Sequence, residues 1–143
     1  MSDQNNSSLD TIPDRELIQK LQIATQNLLW FSEAEYYWQI FYWQHADTFN
    51  ENILLQQGNF SSDTKIAIQQ FSSFFEPAIK KEDWHNDTEK EEVLRYQFLV
   101  NLLTANLTEI KVYLLGEIEI EAYVLGKTKH NAIAGITTKI VRT

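Results

Sequence analysis

The sequence predicts an α+β fold: a three-layer α/β/α sandwich around a largely antiparallel sheet. Two segments, residues 13–29 and 88–107, carry apolar residues at helical spacing. The last third alternates apolar and polar residues in blocks separated by Gly116 and by the turn 127–131. Helices at both ends of the order, with strands between, favour covering a sheet on both sides. A chain of 143 residues is long enough for one real core. The expected organisation is a flexible leader, 1–12, and a single domain, 13–143.

The first helix is expected from Pro13 to Leu29. Leu17, Leu21, Ala24 and Leu28 form its stripe, Ile18 and Leu29 widen it, and Thr11 or Asp14 serves as N-cap. Ser32-Glu33-Ala34-Glu35 has the capping-box pattern. A turn or short helix is expected there, with Glu33 its first helical residue and pointing to solvent. From Trp30 to Trp43, eight of fourteen residues are aromatic. Tyr37–Trp43 reads as a strand, central and covered on both faces because its aromatics fall on both. Asn52–Gln57 and Lys65–Gln70 read as short strands joined by the turn from Gly58 to Asp63. Phe71–Ile79 reads as a loop with a helical turn, interrupted by Pro77. Glu82–Asp87 is an acidic loop carrying one large aromatic, Trp84. A long helix, Thr88–Leu107, opens with Thr88-x-x-Glu91 as a second capping box. Glu89, Glu91 and Glu92 then sit near the positive end of its dipole. Val93, Leu94, Phe98, Leu99, Leu102 and Leu103 form its apolar face. Strands follow at Lys111–Leu115, Glu117–Gly126 and Ala132–Thr143. The last strand runs to the final residue, which makes Thr143 and its carboxylate an anionic peg.

Composition excludes several chemistries. There is no cysteine, so no disulfide or thiolate chemistry. The three histidines, His45, His85 and His130, lie far apart without ligand spacing, so no metal of the protein's own and no cofactor are expected. With four glycines and no Gly-rich phosphate-binding pattern, a nucleotide-cradling loop is not expected. The N-terminus lacks a signal-peptide pattern and no apolar run is long enough to span a membrane, so a cytoplasmic location is expected. Acids outnumber bases 20 to 12, giving a net charge of −8. That balance opposes direct nucleic-acid binding and favours a basic partner. The one enzyme-like constellation is Glu117, Glu119 and Glu121, which resembles paired glycosidase carboxylates. At i, i+2, i+4 such residues more often make an exposed polar strand face.

Some residues resemble a known family. Leu28–Tyr36, Glu82-Asp83-Trp84, Val112–Glu117, Tyr123–Gly126, Ala134–Lys139 and the terminal threonine are similar, in order and spacing, to the cyanobacterial nuclease A inhibitor family. The resemblance runs from about Arg15 to Thr143. It implies a variant of the pathogenesis-related-1 α/β/α sandwich. It also implies a protein that blocks a metal-dependent, sugar-non-specific DNA/RNA endonuclease, as a monomer in a 1:1 complex. Residues matching Glu33 and Thr143 reach the nuclease's catalytic metal centre, and residues matching Asp83 and Trp84 lie in the interface. Carboxylate oxygens can replace phosphate oxygens beside a hard divalent cation, and an exposed tryptophan is a common hot spot. The resemblance makes the protein an inhibitor and not an enzyme. Two positions depart from the family pattern. Tyr37 replaces a proline and Arg142 an acid. Arg142 motivates an alternative: a binding module of the same fold with a different protein partner.

Overall fold

The computed structural model of the protein describes residues 12–142, so residues 1–11 of the expected leader and Thr143 lie outside the described residues, while Ile12 packs against the core. The fold is mixed α+β. In chain order come α1 (Asp14–Thr25), β1 (Leu29–Phe31), β2 (Glu35–Tyr37), β3 (Gln39–Trp43), a 3₁₀ turn (Ala46–Thr48), α2 (Glu51–Gln57) and β4 (Ile66–Gln70). Then follow α3 (Phe71–Ile79), α4 (Asp87–Asn106), β5 (Thr108–Leu115), β6 (Glu119–Lys127) and β7 (Ile133–Val141). Five strands form one antiparallel sheet in the order β3-β7-β6-β5-β4, and β1 and β2 form a separate hairpin.

The centre of the sheet is apolar on both faces. Along β6, Ile120, Ala122 and Val124 join a core with Leu17 and Leu21 of α1, Phe74 and Phe75 of α3, and Leu99 and Leu103 of α4. The alternate residues Tyr123 and Leu125 join a second core with Leu54 and Leu55 of α2, Phe41 and Leu115. Strand alternation therefore assigns each side chain to one of the two cores, and a slip of one residue would exchange them. Gly135 of β7 lies opposite Leu125 of β6 on one side and Phe41 of β3 on the other. A Cβ there would collide with the backbone carbonyl of Val124.

Several elements differ from the sequence reading. Asn52–Gln57 is helical, not a strand. Asn50 caps it by accepting the Ile53 N–H at 3.3 Å, and Leu54 and Leu55 turn inward together as helix neighbours. Phe71–Ile79 is a full helix, with Pro77 so near its end that little of the ladder is lost. The aromatic strand is interrupted at Trp38, and β3 is an edge of the five-stranded sheet rather than central. Its outward Tyr42 donates to Asp14 Oδ2 at 2.8 Å. Asp14 therefore fastens β3 instead of capping α1, whose N-cap is Pro13. Asp14 also accepts from Thr128 Oγ1 at 3.2 Å, fastening the β6–β7 turn.

The helix from Asp87 begins with a capping box two residues earlier than expected. Asn86 and Glu89 exchange side chain-to-backbone hydrogen bonds at 2.8 Å each, so Thr88-x-x-Glu91 is not the box. Its inward face is Val93, Tyr96, Leu99 and Leu103, while Leu94 and Phe98 are exposed. Arg95 reaches across to α1 and donates to the carbonyls of Ala24 (2.9 Å) and Gln26 (2.7 Å), satisfying the end of that helix.

Two stability measurements follow. Asn86→Ala should lower the unfolding free energy by about 1 kcal/mol, while Thr88→Ala should stay within about 0.5 kcal/mol of the parent; equal effects in urea unfolding would contradict the assigned box. Gly135→Ala should cost about 1–3 kcal/mol, because the obstacle is backbone and cannot rotate away. A neutral result in the same assay would contradict the close approach.

Candidate functional site

The hairpin β1–β2 and the acidic loop before α4 define the candidate site. The hairpin pairs Leu29 with Tyr37, Trp30 with Tyr36 and Phe31 with Glu35, so Ser32-Glu33-Ala34 is its tip. The expected capping box at Ser32–Glu35 is absent, and Glu33 is a loop residue. The Ser32 hydroxyl donates to the Ala34 carbonyl at 3.0 Å, folding the tip on itself. The same oxygen accepts the Val141 N–H at 3.0 Å. The Glu33 N–H donates to the Val141 carbonyl at 3.3 Å. The tip and the end of β7 are thus joined by two hydrogen bonds across most of the chain length. The Arg142 N–H donates to Ile118 O at 2.9 Å, holding the strand end from the other side.

The hairpin is rigidly mounted. Trp30 stacks on Phe74 with centroids 4.7 Å apart, and meets Trp38, Phe75 and Tyr96 edge-on. Trp38 Nε1 donates to the Tyr96 hydroxyl at 2.9 Å, and that hydroxyl donates to Leu29 O at 2.6 Å. Burial pushes the Tyr96 phenol well above its ordinary range, so it stays a neutral donor. Thr138 of β7 donates to the Tyr37 carbonyl at 2.9 Å, pinning the return strand. The aromatic run is therefore largely the mounting of the tip.

In the acidic loop, the Glu82 N–H donates to His85 Nδ1 and the His85 N–H to Glu82 O, both at 3.1 Å. This closes a tight turn with Asp83 and Trp84 at its apex. Both are exposed, Trp84 by 73%, with its ring edge-on to His85 at 4.3 Å between centroids. The turn and the hairpin are the walls of one groove of about 300 Å³, lined by Leu29, Trp30, Phe31, Pro77, Ala78, His85, Glu89, Glu92, Val93 and Tyr96. Glu92 has its carboxyl raised above the usual range, chiefly by burial, with Glu35 and Glu89 adding and Arg95 opposing. Sequence reading missed this convergence of Glu35 with α4. No local pattern signals it, because the two elements are far apart in the chain and meet only in the fold, through the Trp30 cage and the Tyr96 bond to Leu29 O.

The fold brings the Glu33 tip to the β7 end, and the groove lined by the hairpin is also lined by His85, the residue after Asp83-Trp84. Thr143 falls outside the described residues. The carboxylates at Glu117, Glu119 and Glu121 do not converge as a pair. Glu117 and Glu119 are exposed, and Glu121 is half-buried and accepts from the Tyr123 hydroxyl at 2.9 Å. Among the described residues no three His, Asp or Glu groups could together hold a metal ion, and no helix is long and apolar enough to cross a membrane.

No curated protein matches the chain. The family of nuclease A inhibitor-like proteins matches residues 15–143, from the first turn of α1 through β7. Members of this family are inhibitors rather than enzymes, and a nuclease is the partner the family implies. The chain belongs to the nuclease A inhibitor-like protein family, and inhibition of a nuclease is the general function that membership implies.

Proposed function

We propose that the protein inhibits a metal-dependent, sugar-non-specific DNA/RNA endonuclease by filling its active site with acidic groups. Glu33 and the terminal Thr143 approach the nuclease's metal, Asp83 pairs with a basic side chain at the cleft, and Trp84 anchors the rim. The observation that carries this reading is the pair of hydrogen bonds from Val141 to Ser32 and Glu33. They tie the acidic tip to the end of β7, two residues before Thr143 in the sequence, so Glu33 is offered from a preorganised edge. Preorganisation matters because an ordered loop loses little further entropy on binding. The oxygens suit a hard divalent cation in place of phosphate. Elements on both faces of the sheet support the expected α/β/α layering of the pathogenesis-related-1 type. The net charge of −8 suits a basic partner and speeds encounter at low salt.

Arg142 favours a second reading. It is exposed at the end of β7, where a cation opposes a basic cleft. A binding module of the same fold with another protein partner would tolerate it. Pull-down from native lysate with a free C-terminus separates the two: a nuclease in the eluate supports the first, a different protein the second.

Titration of the chain into a metal-dependent non-specific nuclease from its own cell should abolish DNA cleavage near equimolar, micromolar concentration. Undiminished cleavage there would overturn the proposal. Glu33→Gln should weaken inhibition by about 2–5 kcal/mol and Trp84→Ala by about 2–4 kcal/mol, with thermal unfolding unchanged. A short C-terminal tag, which converts the terminal carboxylate to an amide and adds bulk, should also abolish inhibition without unfolding the chain. A tagged protein that inhibits as well as the untagged one removes Thr143 from the mechanism.

A further inference from the structure

The groove between the hairpin and α4 has a composition that proposed contacts at Glu33, Asp83 and Trp84 leave unused. Its walls are apolar: Leu29, Trp30, Phe31, Pro77, Ala78 and Val93. Phe31 stands 55% exposed at its rim. Two carboxylates, Glu89 and Glu92, line it, and Glu35 lies close enough to act on Glu92. The other polar groups nearby are occupied. The Tyr96 hydroxyl is committed to Leu29 O and Trp38 Nε1, and Gln97 takes Ile79 O. Arg95, the cation that acts on Glu92, directs its Nη2 to Ala24 O and Gln26 O. What remains for a guest is an apolar trough ending in two carboxylates, of which Glu89 gives one oxygen to the Asn86 N–H, and neither of which forms a salt bridge among the described residues.

We infer that this groove receives an arginine side chain from the basic partner, its stem lying along Trp30, Phe31 and Val93 and its guanidinium meeting Glu89 and Glu92. Arginine fits better than a neutral apolar group because the trough ends in like charges, which a cation relieves. It fits better than a compact cation because its stem covers apolar surface and its planar head accepts a half-buried, aromatic-lined site. The partner's identity as a nuclease rests on the function proposed above; the chemistry of the guest rests on the groove alone. The groove's wall at Phe31 adjoins the Glu33 tip, and its wall at His85 adjoins Trp84, so an arginine here would fix the register of the whole contact.

The test uses the full chain, ¹⁵N-labelled, titrated with n-butylguanidinium at constant ionic strength, with n-butanol and butyrate as controls. Saturable shifts should centre on the Trp30 indole and on the amides of Phe31, Glu89, Glu92 and Val93. Butanol should bind more weakly, and butyrate should leave these signals in place. Glu89→Gln with Glu92→Gln keeps the side chain-to-backbone cap of α4 and removes only charge. It should weaken butylguanidinium by about threefold to fivefold, the range of an exposed ion pair. Ala78→Leu, which narrows the trough without touching charge, should weaken both butylguanidinium and butanol. Absence of saturable shifts, equal binding of butanol and butylguanidinium, or indifference to both variants would overturn the inference. Nuclease titration keeps the two proposals separate. If the parent fails to inhibit while the guanidinium still binds, the inhibitor function falls and the groove stands. If the parent inhibits and both variants inhibit equally well, the groove falls and the function stands.

Discussion

Strand β6 must bury both of its faces, and the rest of the molecule follows from that requirement. Ile120, Ala122 and Val124 need one apolar cover, and Tyr123 and Leu125 need another. The chain meets the first with α1, α3 and α4, and the second with α2 and the aromatics around Phe49 and Phe60. The nine-residue ladder to β7 then has only one register that keeps each residue with its core. Gly135 locks that register by allowing a backbone approach that any side chain would block. With β7 fixed, its far end arrives at Ser32 and Glu33, and the acidic tip acquires a defined position. An interaction at the surface is therefore set by packing in the middle of the sheet.

The hairpin shows how a polar tip is held still by apolar means. Trp30 lies in a cage of Phe74, Phe75, Trp38 and Tyr96, and the buried Trp38–Tyr96–Leu29 relay fixes its depth. That mounting brings Glu35 near Glu92, whose carboxyl is raised chiefly by burial, with Glu35 and Glu89 adding to the shift. Solvent and Arg95 soften the penalty without removing it. A surface that keeps like charges close in its free form is relieved by a cation, which gives a basic partner both attraction and direction.

Much of the scaffold was legible because local pattern and packing agreed. The stripe Leu17–Leu21–Ala24 marked α1, the Glu117–Gly126 alternation marked β6, which begins at Glu119, and the loop expected at Glu82–Asp87 carries an exposed Trp84 but ends one residue sooner, since Asp87 opens α4. Failures occurred where two patterns overlapped. Asn52–Gln57 is too short for periodicity to distinguish strand from helix, and its Asn50 cap was the decisive signal. Ser32-x-x-Glu35 matches a capping box letter by letter, yet the serine hydroxyl serves a hairpin turn and a distant strand. The α4 box moved from Thr88 to Asn86 because asparagine caps at least as well and its partner Glu89 was correctly spaced. Glu33, Asp83 and Trp84 could be picked out by resemblance, but not their relation to the groove.

By itself the sequence determined the class of structure, the acidic balance, the absence of cysteine chemistry and the family, because these depend on composition, on spacing within one element, or on ordered short matches. Tertiary structure alone decided that β3 lies at an edge, that Asp14 fastens sheet turns instead of capping a helix, and that the Glu33 tip is bonded to Val141. It also decided that Glu35, Glu89 and Glu92 share one electrostatic environment. Each of these joins residues far apart in the chain, and hydrogen bonding and charge act over a few ångströms of space, whatever the separation in sequence.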